Sequence, residues 1–172
     1  MGLTVHEADR HLRVQRAALA VYGAMTLLAI TEAATIKGVA ESPGSLSIVL
    51  IAGSLSVVIA HAWASVVAHR LVAGRRFTRE EVLEELWFAG SFLAATAVAL
   101  ITIVASLPWE SFDATVSLTV ASLLGMLLVV GVAGARRSGS GRARALAWGL
   151  LDVGVGMLIV LLKDLLTLID TY

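Results

Sequence analysis

Five long apolar runs are divided by short polar turns, and the turns alternate between two kinds. The runs cover about residues 17–36, 46–72, 86–107, 114–135 and 145–169. Each is near the roughly 20 apolar residues that cross a ~30 Å hydrocarbon core. Turns of the first kind are rich in arginine. Arg10, Arg13 and Arg16 precede the first run, and Arg70, Arg75, Arg76 and Arg79 separate the second from the third. Arg136, Arg137, Arg142 and Arg144 separate the fourth from the fifth. Turns of the second kind carry almost no basic charge. Lys and Arg are retained on the cytoplasmic side during insertion. The pattern therefore predicts an all-α, polytopic membrane helix bundle with five transmembrane helices, the N-terminus cytoplasmic and the C-terminus outside.

Local signals punctuate the runs. Residues 1–16 read as a cytoplasmic N-terminal helix in which Thr4 and Glu7 have capping-box spacing, and residues 17–172 as the transmembrane domain. Pro43-Gly44 is a breaker pair in the first outer turn, and Pro108 stops the third run. Thr78 and Glu81 repeat the capping-box spacing, and Ser138-Gly139-Ser140-Gly141 forms a linker before the fifth run. Trp87 and Trp148 fall at the inner boundary, and Trp109, Phe112 and Tyr172 at the outer one. Amphipathic rings favour the headgroup level, so they agree with the register.

Composition agrees with this class. The chain of 172 residues is 58% hydrophobic and 15% charged, with a mean hydropathy of +0.88. A soluble domain is nearer half apolar and a quarter charged. The length leaves no room for a separate soluble domain. The formal net charge of +0 gives no footprint for nucleic acid, because the basic clusters serve orientation. With no cysteine, disulfides, thiolate metal sites and Cys nucleophiles are excluded. A cleaved signal peptide is not expected, since the first run follows a long and partly acidic segment. The expected location is the inner, cytoplasmic membrane.

Ionisable residues inside the runs carry the candidate chemistry, because each is costly there unless paired or hydrated. They are Glu32, His61, Asp152 and Lys163. At a rise of 1.5 Å per residue, Asp152 lies roughly 10 Å from the inner end of its run, and His61 about 12 Å from His69. Glu32 and Lys163 each lie about 6–8 Å from the outer ends. The depths predict an inner pair, His61 with Asp152, and an outer pair, Glu32 with Lys163. Asp152 and Lys163 share a face of the fifth run with Gly156 between them.

The second run carries a polar stripe of Ser54, His61, Ser65 and His69 beside a small-residue stripe of Ser56, Ala60, Ala64 and Ala68. Ser117, Ala121 and Gly125 repeat the small-residue device in the fourth. Such stripes allow close helix approach in lipid, within or between subunits. Met25 shares a face with Glu32, although a Met on a membrane helix usually serves packing. A pair of intramembrane charges is equally a structural staple or a functional site. Glu80, Glu81, Glu84 and Glu85 fit the N-terminal turn of a cytoplasmic helix better than a cation trap. No phosphate loop, Ser-His-Asp arrangement or zinc-helix motif is visible, so the chain is not read as an enzyme, no cofactor is expected, and metal ligands stay unassigned.

The stretch from Ala60-His61-Ala62-Trp63 through His69-Arg70-Leu71, followed by Gly74-Arg75, resembles a family of uncharacterised actinobacterial integral membrane proteins. The resemblance extends along most of the chain through Tyr22-Gly23 and Leu162-Lys163, and implies that His61 and Lys163 are motif positions. The span order also resembles the vacuolar iron transporter family, which implies five helices, an N-terminus inside and a dimer. Matching the ends of helix two puts Ser65 and His69 at that family's Met and Glu positions. Its helix-one acid is here Thr26 or Met25, and its Glu-rich insert shrinks to residues 70–87.

The reading is thus a homo-oligomer in the lipid bilayer, a dimer by preference, that moves a small cation or protons. Glu32, His61, Asp152 and Lys163 would line its route, with Ser65, His69 and Met25 in the polar core. His61 would be its pH-sensitive member. A non-transporting scaffold or accessory subunit, or a symmetric oligomeric channel, fits the same residues.

Overall fold

Two turns end their helices by one device. After α1 (Val5–Ile36), Gly38 adopts φ 62, and the Val39 and Gly38 amides donate to the carbonyls of Ala34 (3.0 Å) and Thr35 (3.3 Å). After α4 (Phe112–Arg137), Gly139 adopts φ 83, and the Ser140 and Gly139 amides donate to Ala135 and Arg136, both at 3.1 Å. Both are Schellman closures, in which a left-handed glycine lets the chain turn back on the last carbonyls. They make tight reversals, so consecutive helices pack antiparallel.

A computed structural model describes residues 5–73, 78–109 and 111–170. The remaining elements are α2 (Pro43–Ala73), α3 (Arg79–Ser106) with a short 3₁₀ turn at Leu107–Trp109, and α5 (Arg142–Asp170). The expected five-helix bundle is therefore present, and the described residues contain no strand. Pro43-Gly44 opens α2 rather than lying in the turn before it. Proline suits the first helical position, and Ser42 and Ser45 cap it, each hydroxyl accepting from the other's amide (3.2 and 3.0 Å). The N-terminal segment and the first apolar run form one uninterrupted helix.

Among the described residues, four helices are long and apolar enough to cross a membrane, and α3 carries a shorter apolar stretch, Gly90–Ser106. Helix α1 is the hub, packing on each of the other four. Accordingly 33% of its apolar window is buried, against 17% in α2, α4 and α5. Leu27, Leu28, Leu46, Leu50, Leu123 and Leu127 fill the centre. Ile48, Ile59, Trp63, Ile101 and Val129 point outward with more than half their surface exposed. A soluble monomer does not display apolar surface on this scale. This is a protein built to be embedded in a membrane.

Candidate functional site

The helix order around α1 decides which polar groups meet. Helix α2 packs on α1 and α3, whereas α5 packs on α4 and α1. His61 and Asp152 consequently face different seams rather than each other. His61 is half-buried and lines a gap of ≈ 10 Å³ with Leu19, Tyr22, Val57, Val58 and Phe92. That volume holds about one water at most. Tyr22 and Phe92 pack across the same seam with ring centroids 6.1 Å apart.

Asp152 has a different setting. It is half-buried in an open cleft of ≈ 470 Å³ walled by Ala17, Ala18 and Val21 of α1, Val130, Gly131, Gly134 and Ala135 of α4, and Trp148 of α5, with Ser138 beyond α4. Its carboxylate lies against the α4 backbone, because a Cβ on Gly131 would run into it and into Gly149 Cα at 2.8 Å. Among the described residues, no hydrogen-bond or ion-pair partner reaches Asp152, and it is the one titratable group lining the cleft. The position lies about 15 Å along α5 from its first residue, well inside the apolar window.

The close approach of α4 and α5 makes this geometry possible. A Cβ on Gly149 would come within 2.6 Å of Val132 Cγ2 and 2.8 Å of the Leu128 carbonyl. One on Gly156 would meet Leu124 and Leu127 at 2.9 Å and Leu28 at 3.3 Å. On the face expected to carry Asp152, Gly156 and Lys163, Asp152 and Gly156 turn toward the bundle, and the Lys163 side chain lies outside the described residues. The small-residue stripes, expected to pack closely within or between subunits, do not do so within the chain. Ala60, Ala64, Ala68, Ser117 and Ala121 are exposed, and nothing lies within 4 Å of a Cβ on Gly125. Between α4 and α5, the close contacts belong to Gly131, Gly149 and Gly156. Their signal in the sequence was two glycines seven residues apart on α5, three and four residues from an intramembrane aspartate.

A second open cleft, ≈ 430 Å³, lies at the opposite end of the α1–α4 seam. Thr35, Ala40, Glu41, Phe112, Asp113, Val116 and Ser117 line it. One turn inward from Thr35, the fully buried Thr31 hydroxyl has no hydrogen-bond partner in the structure. Along α4 the two clefts are about 20 Å apart, and between them Leu28, Leu124 and Leu127 close on Gly156. Glu41 in the turn before α2 and Asp113 in the first turn of α4 carry no signal in the sequence, because a carboxylate is unremarkable at such positions.

The other expected site residues scatter. Glu32 is half-buried on α1, where its carbonyl accepts from Thr35 Oγ1 at 3.0 Å. Ser65 is half-buried on α2, and Met25 packs against the apolar core. Ser54 is buried and joins α2 to α3 through Thr96 Oγ1 at 2.7 Å. The side chains of His69 and Lys163 lie outside the described residues, as do those of Glu80, Glu81, Glu84 and Glu85, so the Glu32–Lys163 pair is not described. No cluster of three His, Asp or Glu able to share a metal ion occurs among the described residues.

No family model, curated protein or solved structure matches the chain.

Proposed function

We propose that this is a five-pass protein of the cytoplasmic membrane that moves a small cation or protons along the α1–α4 seam. The observation that carries the reading is Asp152, a carboxylate at membrane depth facing an open cleft. An ionisable group there is expensive, and its retention beside open volume favours a transport role over a structural one. The cleft lies at the arginine-rich end of the bundle, the cytoplasmic end by the positive-inside rule. A cation entering there is balanced by Asp152. Parting of Leu28, Leu124 and Leu127 then opens a path to Thr35, Glu41, Asp113 and Ser117 on the other side.

The route differs from the one expected of the four intramembrane charges, since His61 and Glu32 line neither cleft. The exposed stripe of Ser56, Ala60, Ala64 and Ala68 on α2 suits association of two copies. Reconstituted in proteoliposomes, the protein is expected to pass protons or a monovalent cation, and Asp152→Asn to lower that flux about a hundredfold. Absence of flux in the parent protein would leave the scaffold reading. Because the chain contains no cysteine, single cysteines also test the orientation. A membrane-impermeant maleimide is expected to label Glu41→Cys from outside and Ser140→Cys only after the membrane is opened. The reverse pattern would invert the topology.

A further inference from the structure

The walls around Asp152 restrict which cation suits it. Its described lining offers one carboxylate and the Ser138 hydroxyl, and that hydroxyl already donates to the Ala135 carbonyl at 2.8 Å. Alanine, valine, glycine and tryptophan supply the rest. A divalent metal ion asks for six or more oxygens, or keeps a hydration shell that apolar walls cannot hydrogen-bond.

A cation that brings its own apolar surface meets none of these objections. Its skeleton gains from burial against Val21, Val130 and Ala135, its charge from Asp152, and a further attraction comes from the Trp148 ring, which is 53% exposed beside the cleft. The cleft volume of ≈ 470 Å³ is that of a small-molecule pocket. We infer that the Asp152 cleft binds an amphipathic organic monocation, an onium or protonated amine on an apolar skeleton. This deepens the transport reading and rests on it for movement, but not for binding.

The test uses the full chain in detergent, with Trp63, Trp87 and Trp109 changed to Phe so that Trp148 alone reports. Tetraphenylphosphonium is expected to change its fluorescence saturably, and uncharged triphenylphosphine oxide is not. Asp152→Asn should weaken phosphonium binding about thirtyfold or more, the loss expected when one member of a desolvated charge pair is removed. Gly134→Phe supplies a second variant. Gly134 lines the cleft and a Cβ there meets nothing within 4 Å, so a ring attached at this position should narrow the cleft and weaken binding.

An equal response to the neutral compound would mean that the cleft holds apolar matter such as an acyl chain, and would overturn the inference. So would the absence of any saturable response, the result expected if a second copy covers the cleft. Phosphonium binding without flux in proteoliposomes would support the site and sink the transport reading. Proton or alkali-cation flux without phosphonium binding would do the reverse.

Discussion

The seam between α4 and α5 and the seam between α2 and α3 both hold polar groups at membrane depth, and they treat them in opposite ways. Between α2 and α3, Ser54 Oγ lies 2.6 Å from the Leu50 carbonyl and 2.7 Å from Thr96 Oγ1, and both side chains are buried. The polar atoms satisfy one another out of reach of solvent. Between α4 and α5, glycines bring the backbones together and Asp152 is left facing open space. Depth alone therefore does not separate a satisfied polar group from one beside open volume. A polar group that fills its surroundings is a staple, and one beside retained volume is available to a ligand.

The largest test of this contrast exchanges the roles of Asp152 and His61. Asp152→Asn is expected to remove flux by about a hundredfold, since the cation then lacks its counter-charge at an estimated loss near 3 kcal/mol. His61→Gln should leave flux within about twofold, because a gap of ≈ 10 Å³ conducts nothing. If His61→Gln is as damaging as Asp152→Asn, the division into a packed seam and an open one fails.

Next in size is the glycine contact that makes the cleft. Gly131→Val would push a side chain into the Asp152 carboxylate and the Gly149 backbone. Overpacking of that kind costs roughly 1–3 kcal/mol, and rigid backbone on the opposing side favours the upper end. Gly125→Val on the same helix meets nothing within 4 Å, so steric overlap adds nothing there and the change should stay within about 0.5 kcal/mol. Thermal unfolding in detergent of both variants reads the difference. Equal effects would show that α4 and α5 do not rely on this contact.

The same contrast explains what was legible in the sequence. Helix number and class follow from apolar run length and the arginine clusters, which depend on local composition. Asp152 stands out because a charge in an apolar run is conspicuous. Its surroundings do not, because neighbours depend on the order of helices around α1. Depth placed His61 level with Asp152, but the hub position of α1 sends α2 and α5 to different partners. A small-residue stripe likewise names a face suited to close approach without saying whether that face turns inward. Ala60, Ala64 and Ala68 turn outward, whereas Gly149 and Gly156 turn inward.

The smallest expected effect lies in the packed seam. Ser54→Ala and Thr96→Val each remove one side of a single buried hydrogen bond. Interhelical bonds of this type are worth about 0.6 kcal/mol in double-mutant cycles, because the separated helices also find partners in the membrane. Ser54 donates its proton to the Leu50 carbonyl and accepts from Thr96, so its hydroxyl keeps a partner when Thr96 is lost. A coupling energy near that value, with flux unchanged in both single variants and the double, would mark the α2–α3 seam as structural. Coupling well above 2 kcal/mol accompanied by lost flux would instead place Ser54 and Thr96 on the conducting route. The seam now read as a staple would then need to open during transport.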